Sequence, residues 1–139
     1  MAALETPLVS GMIHRPGTPA HMMRVRPAGR WVTVRLDDEV IARSRRAALL
    51  IEIGADVYDP AYYVPLDDVA ADLVPTERST HCPLKGDTTY YDLGPTGERG
   101  AVEGIGWSYT SPLEWAVELR GLIAFDPARV RIETAPLDR

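Results

Sequence analysis

The chain has 139 residues with 15 basic and 20 acidic side chains, so its formal net charge is −5. This acidic balance argues against nucleic-acid binding, which depends on basic side chains that neutralise phosphates. The longest purely apolar run, Ala47 to Ile51, is far shorter than the ~20 residues of a membrane-spanning helix. We therefore expect one soluble domain with no nucleic-acid and no membrane partner. Composition leaves the oligomeric state open.

The first part of the chain predicts a tail followed by a hairpin and a strand. Residues 1–22 contain three prolines and two glycines without an apolar period, which is typical of a disordered tail. Apolar and polar residues then alternate on both sides of a turn at Asp37 and Asp38, which predicts a β-hairpin. The aliphatic run 47–53, closed by Gly54, predicts a buried strand.

Basic residues are concentrated around this hairpin. The segment from Arg24 to Arg46 holds seven arginines against three acidic residues, which leaves a net charge of +4. A solvated face is the ordinary interpretation of such a run, and an anion-binding patch is the alternative.

The second part of the chain predicts mostly short strands. A capping box at Ser111, Pro112 and Glu114 predicts one helix near residues 112–120, ending at Gly121. About eight strands and one helix place the chain among compact, β-rich α+β folds, with a domain over 23–134 and a C-terminal tail over 135–139. The other predicted elements are an extended segment at 58–65, a helical turn at 66–71, strands at 73–80, 87–93, 101–109, 122–125 and 130–132, a turn at 82–86 and a loop at 94–100.

Reactive side chains are densest in the predicted turn from Thr80 to Gly86. Lys85 is the only lysine, and an ammonium can act as acid, base or nucleophile whereas a guanidinium stays charged. Cys82 is the only cysteine, so the sequence has no internal disulfide and no multi-thiolate zinc site. Cys82 is either a reactive thiol activated by a nearby cation or a small buried hydrophobe. Lys85 is either functional or an ordinary surface residue.

Glu52 is the one charge inside the predicted buried strand. A carboxylate there forms an ion pair, serves as a general base in a cavity, or turns outward into water. The chain has three histidines, of which His14 and His21 fall in the predicted tail, so we predict no metal site and no cofactor. The N-terminus lacks a basic start followed by a long apolar stretch, so we expect a cytoplasmic protein.

Several spaced motifs resemble, in order, the DUF427 family. The resemblance covers residues 24–133, and it implies a β-tent domain of unknown function that carries a nucleotidyltransferase-like label. It also implies a topology similar to that of zinc-binding relatives, whose two Cys-x-x-Cys pairs are missing here. The motifs are Arg45 to Glu52, Tyr62 to Pro65, Asp67 to Val69, Thr80 to Gly86, Tyr90-Tyr91, Trp107 to Tyr109, Pro112 and Gly121 to Phe125.

These residues predict a pocket for an unknown small molecule. We expect Glu52, Cys82 and Lys85 to converge on one cavity as candidate catalytic groups, and the residues leave open whether any reaction occurs. The alternative is a non-catalytic module that binds a protein through a sheet face or edge. The candidate binding residues are Tyr63, Thr80, Tyr90, Trp107 and Tyr109, whose aromatic members suit a pocket wall or the rim of a core.

Overall fold

The computed structural model describes residues 10–138, and within these residues the fold is mostly β, as the sequence predicted. Two short 3-10 helices, Leu66–Asp68 and Glu114–Leu119, interrupt the strands. The strands are β1 (Ile13–Arg15), β2 (Thr18–Pro27), β3 (Arg30–Leu36), β4 (Glu39–Ser44), β5 (Ala48–Ile53), β6 (Ala61–Pro65), β7 (Leu73–Pro75), β8 (His81–Cys82), β9 (Gly86–Leu93), β10 (Val102–Pro112), β11 (Leu122–Phe125) and β12 (Arg131–Pro136).

The strands form two antiparallel sheets. The large sheet has the order β1-β2-β5-β6-β11-β10-β9-β7, and β8 pairs with β9 beside β7. The small sheet has the order β12-β3-β4 and contains the predicted hairpin, whose turn holds Asp37 at a positive φ of 53°. The hairpin and the predicted strand at 47–53 are therefore confirmed, the latter as β5 in the large sheet.

Alternation along the strands divides the buried side chains into two clusters. The first cluster joins the small sheet to one face of the large sheet and includes Val32, Val64 and Ile123. Tyr63 and Ala124 are the chain neighbours of Val64 and Ile123, and they belong to the second cluster. Because neighbouring residues of a strand point to opposite faces, the second cluster lies on the other face of the large sheet. The candidate site is built on this second face.

The N-terminal segment differs from the predicted tail. Residues 13–15 and 18–22 lie in β1 and β2, and β2 pairs with β5 along the large sheet. Met23 in β2 is completely buried in the second cluster. Proline and glycine hide the alternation that would have predicted a strand here. The stability of β2 comes from its pairing with β5, which is distant in sequence. The rest of the predicted tail, residues 1–9, lies outside the described residues.

The predicted helix at 112–120 is wrong as an α-helix. Ser111 and Pro112 end β10, where they pair with Asp87 and Gly86, so Ser111 does not cap a helix. Residues 114–119 instead form 3-10 turns that are broken at Ala116, whose φ and ψ are −112° and 15°. The long pairing of β10 with β9 overrides the local helix signal. The predicted C-terminal tail at 135–139 also differs, because β12 continues through residue 136.

Candidate functional site

A buried carboxylate binds two basic side chains on the second face of the large sheet. Glu52 Oε1 accepts a hydrogen bond from Lys85 Nζ at 2.5 Å, and Glu52 Oε2 lies 2.8 Å from Nε2 of His21. In the β2–β5 ladder Met23 pairs with Glu52. His21 is two residues from Met23, so it lies diagonally across from Glu52 on the same face. Three segments distant in sequence therefore meet at one carboxylate.

Burial and hydrogen bonding oppose each other in this cluster. The side chains of Glu52 and Lys85 are only 12% and 11% exposed. Burial alone would raise the pKa of Glu52, but hydrogen bonds from His21 and Lys85 outweigh it and hold that pKa below its ordinary value. Burial alone would lower the pKa of Lys85, but the Glu52 carboxylate, which accepts a hydrogen bond from the ammonium, outweighs burial and raises that pKa. The resting pair is thus a carboxylate and an ammonium.

The turn that carries Lys85 is fixed by the 3-10 segment beside it. Leu84 is completely buried, and its carbonyl accepts a hydrogen bond from Trp115 Nε1 at 2.9 Å. The carbonyl of Lys85 accepts one from the backbone N–H of Leu113, also at 2.9 Å. Gly86 follows with a φ of 117°, which favours glycine. Lys85 therefore extends from a rigid backbone, which keeps its ammonium in place.

Aromatic side chains surround the ammonium. Lys85 Nζ lies 5.4 Å from the ring centroid of Tyr109, a cation–π distance. The ring of Tyr109 is 6.4 Å from that of Tyr63, and Tyr63 Oη accepts a hydrogen bond from Trp107 Nε1 at 3.2 Å. The ring centroid of Tyr90 lies 6.5 Å from that of Trp107. Burial raises the pKa of Tyr63 and of Tyr109, so both phenols are neutral hydrogen-bonding groups.

These side chains line a cavity of about 280 Å³. The cavity combines one basic and two acidic side chains with several aromatic rings, and small-molecule sites likewise place a few polar groups among aromatic walls. Its lining residues are Leu50, Glu52, Tyr58, Asp59, Ala61, Tyr63, Lys85, Tyr90, Trp107 and Tyr109.

Two of the candidate residues lie beside this cavity and do not line it. Cys82 is half-buried and packs against the second cluster. Thr80 Oγ1 lies 3.1 Å from Tyr90 Oη and 2.6 Å from Thr88 Oγ1. Thr80 therefore contacts a lining residue, while Cys82 belongs to the packing around the second cluster.

Sequence reasoning missed several members of this region, His21 and Asp59 among them. His21 was assigned to a tail, and no local pattern pointed to Glu52, 31 residues away. Tyr58 and Asp59 precede β6 and line the cavity from the loop side. The available signal for His21 was its two-residue spacing from the apolar Met23, which is typical of a strand face.

The structure predicts how Glu52 responds to pH. Since its pKa in the folded chain lies below the ordinary value of 4.5, ionised Glu52 stabilises the fold above pH 4.5, and this contribution is lost as the pH falls through the lower, folded value. We expect a carbon-13 NMR titration of the Glu52 carboxyl to show a midpoint below 4.5. A midpoint above 4.5 would mean that burial outweighs the two hydrogen bonds.

The part of the chain that the structure describes contains neither a group of metal-ligating side chains nor a membrane-spanning helix. Within residues 10–138, no three side chains among His, Cys, Asp and Glu are grouped so as to hold a metal ion. Among the same residues, no helix has the length and apolar character needed to cross a membrane.

Comparison with known proteins gives one family. The model of a family described as "Domain of unknown function (DUF427)" matches residues 24–136. This range includes Glu52, Lys85 and the aromatic residues around them, and it leaves out His21. No curated protein matches the chain.

Proposed function

The chain belongs to the DUF427 family, as its motifs predicted, and we propose that it is a small-molecule-binding domain whose ligand occupies the cavity beside Glu52 and Lys85. The observation that supports this proposal best is the nearly buried Glu52–Lys85 pair facing a cavity with aromatic walls. Two charges are costly to remove from water, and a hydrophobic pair of similar volume would often stabilise a fold as well. A ligand-binding role accounts for the presence of these two charged side chains at a nearly buried position.

The protonation states favour binding over covalent catalysis. An ammonium with a raised pKa is not a free amine nucleophile, and Glu52 already accepts two hydrogen bonds. The remaining N–H groups of Lys85 and the neutral phenol of Tyr109 are donors for a ligand oxygen. The ligand class that fits is a compact molecule with a carbonyl or carboxylate group and a flat part that packs on Trp107.

A second cavity extends the site on the apolar side. It has a volume of about 300 Å³ and shares Tyr58, Asp59, Ala61 and Trp107 with the first. Its other walls are mainly apolar, with Phe125 among them. A ligand with an apolar extension would gain affinity by burying that part here.

The alternative function, a protein-binding module, has less support. Five large apolar side chains are exposed in the described chain, and only two of them, Val57 and Tyr58 between β5 and β6, are neighbours. The other three lie apart, with Val40 in β4, Val74 in β7 and Val117 in the second 3-10 helix. Interaction surfaces instead present contiguous apolar patches.

A fragment screen tests the proposal. The chain contains three tryptophans, Trp31, Trp107 and Trp115, so three indole N–H signals report on three places in proton–nitrogen NMR spectra. We would titrate benzamide, benzoate and a library of fragments with up to about 15 non-hydrogen atoms, a size suited to a pocket near the lower end of the usual range. We expect hits that shift the Trp107 indole signal. Failure of every fragment to do so, or shifts confined to the other two indoles, would refute the proposal.

Variants connect such hits to the charged pair. We expect Lys85→Met to lower by about tenfold or more the affinity for a fragment that shifts the Trp107 indole signal, because a charge-assisted hydrogen bond is lost. Tyr109→Phe removes one hydroxyl, keeps the ring, and serves as the second variant should Lys85→Met fail to fold. Arg131→Met, at an exposed position in β12, is the matched control and should leave affinity unchanged. Unchanged affinity in both site variants would refute the assignment.

A further inference from the structure

The outer face of the small sheet carries a cluster of arginines on a tryptophan. In the β3–β4 ladder Thr33 pairs with Arg43 and Val32 with the buried Ser44, so Trp31, Arg43 and Arg45 share the outward face. The guanidinium carbons of Arg43 and Arg45 lie 3.9 Å and 5.6 Å from the ring centroid of Trp31. Both cations are therefore held on one aromatic side chain.

The backbone that carries these arginines is anchored. Ser44 is 1% exposed, and its hydroxyl donates to Asp68 Oδ2 at 2.5 Å and accepts from the backbone N–H of Arg46 at 2.9 Å. Arg46 Nη2 lies 3.2 Å from the other oxygen of Asp68. The segment 43–46 is thus fixed by a buried hydroxyl, which reduces the entropy cost of engaging a ligand.

Charge in this region is not balanced. Because both lie close to one ring, the two guanidinium carbons are less than about 10 Å apart, so two positive charges are available to the same anion. In the described part of the chain, no carboxylate oxygen lies within 4.0 Å of either guanidinium. An anion in the cavity that both arginines line would balance these charges.

Two adjoining cavities of about 580 and 570 Å³ extend the cluster. Arg45 and Arg46 line both of them, Arg43 lines the first and Arg26 the second. These four arginines face two lining carboxylates, Asp68 and Glu118, in a chain whose net charge is −5. Neither cavity shares a lining residue with the cavity at Glu52.

We propose that this arginine surface binds a small ligand carrying two or more phosphoryl groups. The planar guanidinium donates two parallel hydrogen bonds to phosphoryl oxygens, and such bonds are stronger than those between neutral groups. One phosphate can occupy the first cavity, which Arg43 and Arg45 line, and Arg26 in the second cavity remains for a further phosphoryl group. This site is independent of the proposed pocket at Glu52.

Calorimetric titration with inorganic phosphate, pyrophosphate and tripolyphosphate at one fixed ionic strength tests the proposal. We expect affinity to rise along this series, with tripolyphosphate binding about tenfold or more tightly than phosphate, because more charge-assisted hydrogen bonds form. Citrate, a polyanion without phosphoryl groups, is the comparison and should bind more weakly than tripolyphosphate. Equal affinity for phosphate and tripolyphosphate, or for citrate and tripolyphosphate, would overturn the proposal.

Charge-removing variants place the binding on this surface. We expect the double variant Arg43→Gln and Arg45→Gln to weaken tripolyphosphate binding by about tenfold or more. Both residues are exposed, so the variant should fold, which an unchanged thermal midpoint would verify. The paired substitution Arg129→Gln with Arg131→Gln, at two exposed arginines outside both cavities, is the matched control and should change affinity by less than about twofold. Equal losses in the double variant and the control would indicate general electrostatic attraction and overturn the proposal.

Discussion

Replacing Gly86 with alanine is expected to destabilise the protein by about 3 kcal/mol or more. A Cβ at this position would lie 2.4 Å from the carbonyl oxygen of Ser111 and 2.8 Å from the backbone nitrogen of Leu113. Both atoms belong to paired backbone and cannot move away as a flexible side chain would. The φ of 117° adds further strain for any residue with a Cβ. Chemical denaturation at neutral pH measures the loss.

Two other glycines separate the contribution of the close contact from that of the backbone angle. Gly97 has a positive φ of 52°, and apart from its chain neighbours no atom lies within 4 Å of the place that a Cβ would occupy, so Gly97→Ala should cost only about 1 kcal/mol. Gly100 has neither feature, and Gly100→Ala should change stability by less than about 0.5 kcal/mol. Equal losses at positions 86 and 97 would show that the contact with β10 does not constrain the turn that carries Lys85.

Replacing Lys85 with methionine is expected to lower the free energy of unfolding at pH 7 by about 2 to 3 kcal/mol. The substitution leaves the carboxylate of Glu52 mostly buried with His21 as its remaining partner, and an incompletely compensated buried charge is costly. The same variant should raise the pKa of Glu52, because a hydrogen bond and an opposite charge are lost. Denaturation and carbon-13 NMR titration measure the two effects.

A double-mutant cycle isolates the pair itself. Glu52→Gln combined with Lys85→Met should cost less than the sum of the single substitutions, with a coupling energy of about 1 kcal/mol or more. Arg131→Met is the control, because the Arg131 side chain is 68% exposed and its 3.8 Å contact with Glu133 should contribute less than about 1 kcal/mol. Additive losses at Glu52 and Lys85 would contradict a direct energetic link between them.

Local sequence patterns determined most of the strand structure. Alternation on both sides of Asp37 and Asp38 specified the hairpin, and a short aliphatic run closed by Gly54 specified β5. Proline and glycine around Lys85 specified a turn. Each of these features depends on backbone preferences or on a two-residue period within a few neighbouring residues, so the sequence alone could predict them.

Tertiary structure decided the N-terminal strands and the segment after β10. The region around His21 became a strand because β5 offered a partner, although its prolines and glycines predicted a tail. Ser111 and Pro112 match the pattern of a helix start, but both residues pair with β9 and extend β10 instead. In both places, contacts between distant segments outweighed local preference.

The sequence by itself determined which chemical groups the candidate site could contain, since Lys85 is the only lysine and Glu52 the one charge in an aliphatic run. Only the tertiary structure decided that these two groups meet, that His21 joins them and that Cys82 does not line the cavity. The physical reason is that strand periodicity fixes the face on which a side chain lies but not which strand becomes its neighbour. Neighbours in the sheet depend on the packing of the whole chain.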